Sequence, residues 1–414
     1  MQRYDTYKGS GVKWLGEIPS HWEVKHLRNF LTMFSEKGYG NSQLLSVTRE
    51  KGVILRDKEN KEENHNFVPD DLSGYKHLEA GDFVINKMKS WQGSYGVSDY
   101  EGIVSPAYFT CKLHGVNPQF FSRAIRSKAY VGFFMQYSKG IRVDQWDLDP
   151  SSMKDIPFIL PPFDEQTAIA NYLDTATAKI DAAIAQQQKM IDLLNERKQI
   201  IINRAVTKGL NPNARMKDSG VEWIGEVPEH WEMMRMRYIC SITTGNKDTI
   251  NRVDDGLYPF YVRSPKVERI NTYSYDGEAV LMAGDGVGAG KVFHYVNGKF
   301  DYHQRVYNFY NIKKIKAKLL YYYMKSHFRY VIEQLSAKST VDSVRLNMIQ
   351  DFLVVIPPMQ EQLDLIEYLD SQMKNLDDSI SMFENQISLL QERKQIIINE
   401  VVTGKVKVVN NQIE

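Results

Sequence analysis

Residues 389–399 read LLQERKQIIIN, and residues 193–203 read LLNERKQIIIN. A single position differs between two stretches 196 residues apart. The same offset places Pro161, Pro162, Glu165, Gln166, Tyr172, Leu173 and Asp174 on Pro357, Pro358, Glu361, Gln362, Tyr368, Leu369 and Asp370. Within the second copy, Ile366, Leu369, Met373, Leu376, Ile380, Phe383, Ile387, Leu390, Lys394, Ile397 and Val401 follow one another at alternating spacings of three and four. That is the a/d seam of a coiled coil. The matching positions of the first copy are Ala170, Leu173, Thr177, Ile180, Ile184, Gln187, Ile191, Leu194, Lys198, Ile201 and Ala205, a seam interrupted by Thr177, Gln187 and Lys198. Neither copy holds Gly or Pro between residues 163 and 208 or 359 and 403. The Pro-Pro pairs suit the residues just before a helix, and Gly209 and Gly404 suit its end. Roughly 40 residues at about 1.5 Å each predict two rods of about 60 Å. Two such seams most simply pack on each other, antiparallel, about an internal pseudo-two-fold axis.

A second repeat opens each half. Residues 11–24 read GVKWLGEIPSHWEV and residues 220–233 read GVEWIGEVPEHWEM, at an offset of 209. The frame is therefore duplicated, while the stretches it encloses are not. Those stretches still share a layout. LEAGDFVINKMKSWQGSYGV and GIVSPAYFTCKL read as strands and turns, followed by one helix over NPQFFSRAIRSKAYVGFFMQY. In the second half, DGEAVLMAGDGVGAGKVFHYV and FDYHQRVYNFYNI read as strands, and KAKLLYYYMKSHFRYVIEQL as a helix.

The 414 residues carry a net charge of +1 and two cysteines, Cys111 and Cys240. The length fits two or three domains. Two cysteines are too few for a disulfide framework, and neither an apolar run long enough to span a membrane nor a secretory leader is present. A cytoplasmic setting is expected. Residues 232–356 hold 18 Lys+Arg against 12 Asp+Glu, and residues 24–160 hold 18 against 16. These small excesses allow a local basic surface without suggesting a general nucleic-acid coat. Catalytic motifs fail one by one. AGDGVGAGK lacks a phosphate loop's first Gly, having Asp285, and its Ser/Thr, having Val292. No Asn-Pro-Pro-aromatic run, Rossmann fingerprint, HExxH or serine elbow is found. Glu196 and Lys198 mimic a nuclease pair but lie on a helix. His21 and His230 lack a second ligand at metal spacing, so packing or a turn hydrogen bond is their expected role.

The ordered, duplicated set GVxWxGExPxHWE, PPxxEQ leading to YLD, and LLxERKQIIIN closely resembles the specificity subunit of type I restriction–modification enzymes, and it frames the whole chain. The resemblance implies an α/β fold class: two globular α/β target-recognition domains joined by two long helices forming an antiparallel coiled coil, with an internal pseudo-two-fold repeat. The segments would be residues 1–23 (constant), 24–160 (first recognition domain), 161–208 (central coiled-coil helix), 209–231 (linker and repeated segment), 232–356 (second recognition domain), 357–404 (second coiled-coil helix) and 405–414 (tail). The chain would be non-catalytic. Each domain would read one half of a split, asymmetric target on double-stranded DNA. Two methyltransferase (modification) subunits would dock on the repeated regions, and motor-nuclease (restriction) subunits would join them. S-adenosylmethionine and ATP would belong to those partners, leaving this chain with no cofactor, no metal and no membrane contact. Physical logic agrees: an antiparallel helix pair has a two-fold perpendicular to its length, as duplex DNA does, and can set two unlike reading heads along one duplex.

Candidate DNA contacts follow from side-chain chemistry, since Lys and Arg suit phosphate or guanine and Gln suits adenine. In the first domain they are Lys87, Lys89, Ser90, Trp91, Gln92, Ser94 and Tyr95, with Lys139 and Arg142 in a later turn. In the second they are Lys291, His303, Gln304 and Arg305, with Lys338, Ser339, Thr340 and Arg345 later. Seam and docking candidates are Leu173, Ile180, Ile184, Ile191, Leu194, Ile201, Leu369, Leu376, Ile380, Phe383, Ile387, Leu390 and Ile397. The alternative from another class is a coiled-coil scaffold presenting two protein-binding domains.

Overall fold

The computed structural model describes residues 2–56, 68–140, 146–336 and 343–408. The chain forms two compact units, Met1–Gln187 with Asn385–Glu414, and Gln188–Glu384. Their boundary runs through both long helices, Phe163–Lys208 and Met359–Val402. Each unit therefore holds the first half of one helix and the second half of the other. Both helices start directly after the Pro-Pro pairs, with the Gln166 and Gln362 amides donating to the Pro162 and Pro358 carbonyls at 3.0 Å. Both end on glycine in the left-handed region, Gly209 at φ 72° and Gly404 at φ 73°, where a Cβ would be strained.

In the first unit, Leu31–Phe34, Tyr108–Leu113, Phe83–Asn86 and Tyr95–Val97 form a four-stranded antiparallel sheet in that order. The expected single helix over 117–137 is two, Pro118–Ile125 and Lys128–Gln136. Asn117 caps the first, its side chain accepting from the Gln119 and Phe120 amides. The break falls at Ser127, which is extended (φ −67°, ψ 156°). Beside it, Arg126 turns back to donate to the carbonyls of Tyr95, Arg49 and Glu50. The aromatic core includes Phe83, Tyr95, Phe120, Phe121, Phe134 and Phe158, with Tyr95 stacked on Phe134 at 4.0 Å. Ala170, Leu173 and Ile180 of the first long helix share that core with Ile397, Ile398, Val401 and Val402 of the second.

The second unit holds a six-stranded sheet in the order Ser241–Thr244, Val306–Tyr310, Tyr275–Ala283, Phe293–Tyr302, Tyr258–Tyr261, Glu268–Ile270. Its neighbours are antiparallel except for the pair Tyr258–Tyr261 and Phe293–Tyr302. The glycine run after Ala283 is a strand–turn–strand connection. Helix Ala317–Ser336 packs Leu320, Met324 and Phe328 over Val280, Met282 and Phe309. Ile202, Ala205 and Val206 of the first long helix lie in this core with Leu365, Leu369, Met373 and Leu376 of the second. In each unit, then, the beginning of one long helix packs on the end of the other, which is the antiparallel arrangement.

The seam positions named from the sequence are all buried or half-buried in both helices. The apolar residues at the unit ends are the more deeply buried, such as Leu173, Leu369 and Val401, whereas Ile184, Ile380 and Ile387 are half-buried. Among the described residues no helix is long and apolar enough to cross a membrane.

A buried leucine contributes about 1.5–3 kcal/mol through burial, and an unpaired charge in its place costs more. Leu376→Asp combined with Ile380→Asp should therefore lower stability by several kcal/mol. Denaturant unfolding followed by helix signal tests this; an unchanged midpoint would contradict the seam.

Candidate nucleic-acid interface and the frame that holds it

The repeated GVxWxGExPxHWE forms the turn and second strand of a hairpin. Tyr7–Gly9 pairs with Glu17–Pro19, and Met216–Asp218 pairs with Glu226–Pro228. Its two tryptophans face different neighbours. The first stacks on the variable domain: Trp14 on Phe133 at 3.8 Å over Gly132, and Trp223 on Phe352 at 5.4 Å with rings 4° from parallel. The second is buried in the frame. Trp22 Nε1 donates to Glu165 Oε2 at 3.0 Å while His21 Nε2 meets Oε1 at 2.5 Å. Trp231 Nε1 donates to Glu361 Oε2 at 2.9 Å while His230 Nε2 meets Oε1 at 2.7 Å. His21 and His230 thus make hydrogen bonds to the repeated glutamates.

Each of these tryptophan rings also lies against the end of the other long helix. A Cβ on Gly404 would lie 2.9 Å from the Trp22 ring, and one on Gly209 would lie 3.0 Å from the Trp231 ring. Each indole therefore sits between the start of one helix and the end of the other. The neighbouring glutamine completes the joint. Gln166 Nε2 donates to the Pro161 carbonyl and its Oε1 accepts from the Asn117 amide, both at 2.8 Å. Gln362 does the same with the carbonyls of Pro357 and Lys314 and the Lys316 amide. The EQ of PPxxEQ ties helix start, hairpin and variable domain together.

The variable domain enters and leaves the frame on paired strands. Glu23–His26 pairs with Pro157–Leu160, and Glu232–Arg235 pairs with Leu353–Ile356. Both chain ends of the domain are thus held in one antiparallel ribbon.

The candidate contacts divide by exposure. Lys89 and Lys139 are exposed, and Lys87 is half-buried with its ammonium 3.1 Å from Asp147. Gln92 and Trp91 are half-buried, with Trp91 tilted against Trp146 at 5.4 Å. Ser90, Ser94 and Tyr95 are interior, which corrects their reading as contacts. The Ser90 hydroxyl is taken up by the Lys87 carbonyl and Ser138, Tyr95 OH donates to the Ile125 carbonyl, and the Ser94 side chain is enclosed. Arg142, Lys338, Ser339 and Thr340 lie outside the described residues.

In the second domain, Lys291, Gln304, Arg305 and Arg345 are exposed. His303 is corrected too: it is buried, and its Nδ1 accepts the Arg305 amide at 3.0 Å. Burial also lowers its pKa from the ordinary histidine value. Arg305 shares Asp285 with Arg263, at 3.5 and 3.2 Å, so two guanidiniums surround one carboxylate. The sequence reading missed Arg263, since nothing local pairs it with a residue 22 positions on. Gln304 Nε2 donates to Asp248 at 2.8 Å.

Also missed was an apolar stripe opposite the seam. Leu193 and Ile200, and their copies Leu389 and Ile396, are exposed although they belong to the repeated LLxERKQIIIN. Among the described residues no group of three or more His, Cys, Asp or Glu is placed to hold a metal ion.

Residues 228–389 match the family model described as the type I restriction modification DNA specificity domain. Over 181 residues the chain is 28% identical to the type I restriction enzyme EcoDI specificity subunit of Escherichia coli, covering 44% of this chain and 40% of that protein. It is 25% identical over 444 positions to the putative type I restriction enzyme MjaX specificity subunit of Methanocaldococcus jannaschii, covering 95% of this chain and 96% of that one. A solved structure described as the structural basis of complex assembly and conformational transition of the type I R-M system superposes with a TM-score of 0.67. It covers 94% of this chain and 99% of that one at 14% identity, a likeness of fold. A match to a DNA-specificity domain, set in a duplicated helical frame, points to one class of protein. The chain is similar to the specificity subunits of type I restriction–modification systems.

Burial disfavours the Glu165 charge, but hydrogen bonds from Trp22, His21 and Tyr4 outweigh it and hold the carboxyl below its ordinary range. A depressed value means the clamp stabilises the fold above the ordinary glutamate value of 4.5 and loses that contribution as pH falls through the lower folded value. Glu165→Gln should cost about 1–2 kcal/mol at neutral pH and show a weaker loss of stability on acidification, measured by thermal unfolding against pH. Gly404→Ala should cost at least about 1 kcal/mol from its left-handed backbone alone, with the indole contact adding to it. An unchanged melting temperature in either variant would contradict the clamp.

Proposed function

We propose that this chain reads a two-part, asymmetric DNA target, one half by each variable domain, and that the helix pair sets the number of bases between the halves. The observation that carries the proposal is the frame. The same Trp–Glu–Gly joint and the same strand ribbon enclose two domains whose sheets differ in strand number and order. Equivalent mounts for unlike readers fit two different half-sites. Lys89 and Lys139 in the first domain, and Lys291, Arg305 and Arg345 in the second, are the exposed cations offered to phosphate or guanine. Gln92 and Gln304 are offered to adenine.

Methyltransferase subunits would dock on the exposed stripe. Leu193 with Ile200, and Leu389 with Ile396, stand one heptad apart on the face away from the seam. Identical apolar residues kept exposed in both copies suit two identical partners. Motor-nuclease subunits would join that complex. S-adenosylmethionine and ATP would bind to the partners.

The chain with its modification subunit should shift DNA bearing the target in a gel and leave unrelated DNA unshifted. A sequence-independent shift, or none, would favour a protein scaffold. Exchanging residues 24–160 for those of a relative should change one half-site and leave the other half and the gap intact. Arg305→Ala should weaken target binding by about 1–3 kcal/mol if it reads a base. Loss of specificity in both halves after the exchange would contradict separate reading.

A further inference from the structure

Lys198 and Lys394, the lysines of the repeated ERKQ, occupy seam positions that a coiled coil ordinarily fills with apolar residues. Both are largely withdrawn from water, at 17% and 25% side-chain exposure. Each crosses to an aspartate on the other long helix within its own unit. Lys394 Nζ donates to both carboxylate oxygens of Asp181 at 2.7 and 2.6 Å. Lys198 Nζ donates to Asp377 Oδ1. The pairs are copies of each other at the 196-residue offset, and they share one register. Seventeen residues forward along the first helix, from Asp181 to Lys198, correspond to seventeen back along the second, from Lys394 to Asp377. Among the described residues no other ion pair joins the two helices.

An apolar seam alone specifies register weakly, because a slide of one heptad sets Leu and Ile against Leu and Ile again. A polar residue at a seam position removes that degeneracy, because its partner is lost when the helices slide. Sliding one heptad in one direction would set Lys394 and Lys198 near Asp174 and Asp370. Those carboxylates are already taken, Asp174 by Arg123, and Asp370 by Lys318 and Tyr322. Sliding the other way would set the lysines near Gln188 and Glu384, leaving one of them without a carboxylate. Only the observed register satisfies both.

We infer that Lys198–Asp377 and Lys394–Asp181 are positioning pairs that fix the helix register and, through it, the gap between the two DNA half-sites. The inference rests on the two-part reading proposed above. A one-heptad slide is about 10 Å along the helices, or about three base pairs at 3.4 Å each, a change a spacer assay resolves.

The full chain is co-expressed with its modification subunit, and the wild-type motif is mapped from methylated bases. Plasmids then carry the two half-sites with the native gap or gaps changed by one to four base pairs. Wild type should methylate altered gaps at least about tenfold more slowly than the native one. Lys198→Met with Lys394→Met keeps the volume and removes two partly buried charges, so its unfolding midpoint should hold or rise. Its rates on altered gaps should nevertheless approach the native rate to within about threefold, as a degenerate seam allows. Exchanging the charges in all four positions, K198D, D377K, K394D and D181K, should restore the native gap preference. A stable Met variant with the wild-type preference, or a folded charge-exchanged protein without it, overturns the positioning role. If the Met variant does not fold, the pairs are needed for folding itself, which also overturns it. A wild-type chain that directs no two-part motif overturns the functional reading beneath it, and is recognised before any variant is compared.

Discussion

Each variable domain is mounted on the frame at a buried tryptophan held by a glutamate. Trp22 lies between Glu165, at the start of the first long helix, and Gly404, at the end of the second. Trp231 lies between Glu361 and Gly209 in the same way. An indole N–H buried without an acceptor would be costly, and a carboxylate bonded to both an indole and an imidazole is well satisfied. The glycine is the third requirement, because the left-handed turn that ends each helix strains any Cβ, and a Cβ there would also crowd Trp231, or Pro19 and Trp22. The joint thus fixes three chain segments at a single point.

From that joint the modular layout follows. The hairpin's other tryptophan, Trp14 or Trp223, rests on the variable domain, and the glutamine beside each glutamate bonds the variable domain's backbone at Asn117 or at Lys314 and Lys316. The domain's two chain ends are adjacent strands of one ribbon. An insert whose ends are pinned together imposes little on what is built between them. The four-stranded and six-stranded sheets share almost no sequence and different strand orders, yet they hang from equivalent mounts.

Much of this was written in the sequence, because periodicity and repetition are physical constraints on a chain. The three-four spacing gave the seam, and its positions are buried or half-buried along both helices. Pro-Pro and Gly marked the helix limits closely. The repeated glutamates were visible as repeats, but their partners were not, since Glu165 meets Trp22 across 143 residues. The same distance problem concealed Asp377 behind Lys198. Interior and surface were confused where polar side chains are satisfied inside the fold: Ser90, Tyr95 and His303 carry the chemistry of contact residues but spend it on Ser138, Ile125 and the Arg305 amide. The helix split at Ser127 was hidden because apolar residues continue through it.

The central claim is that one duplicated frame presents two unlike readers to DNA. Its most direct test is to map methylated bases across a genome in a host free of other DNA methylation, carrying this chain with its modification subunit and compared with the same host lacking this chain. The expected result is a two-part motif with unlike halves, a constant gap, and complete dependence on this chain. A continuous motif, two identical halves, or a variable gap would contradict it.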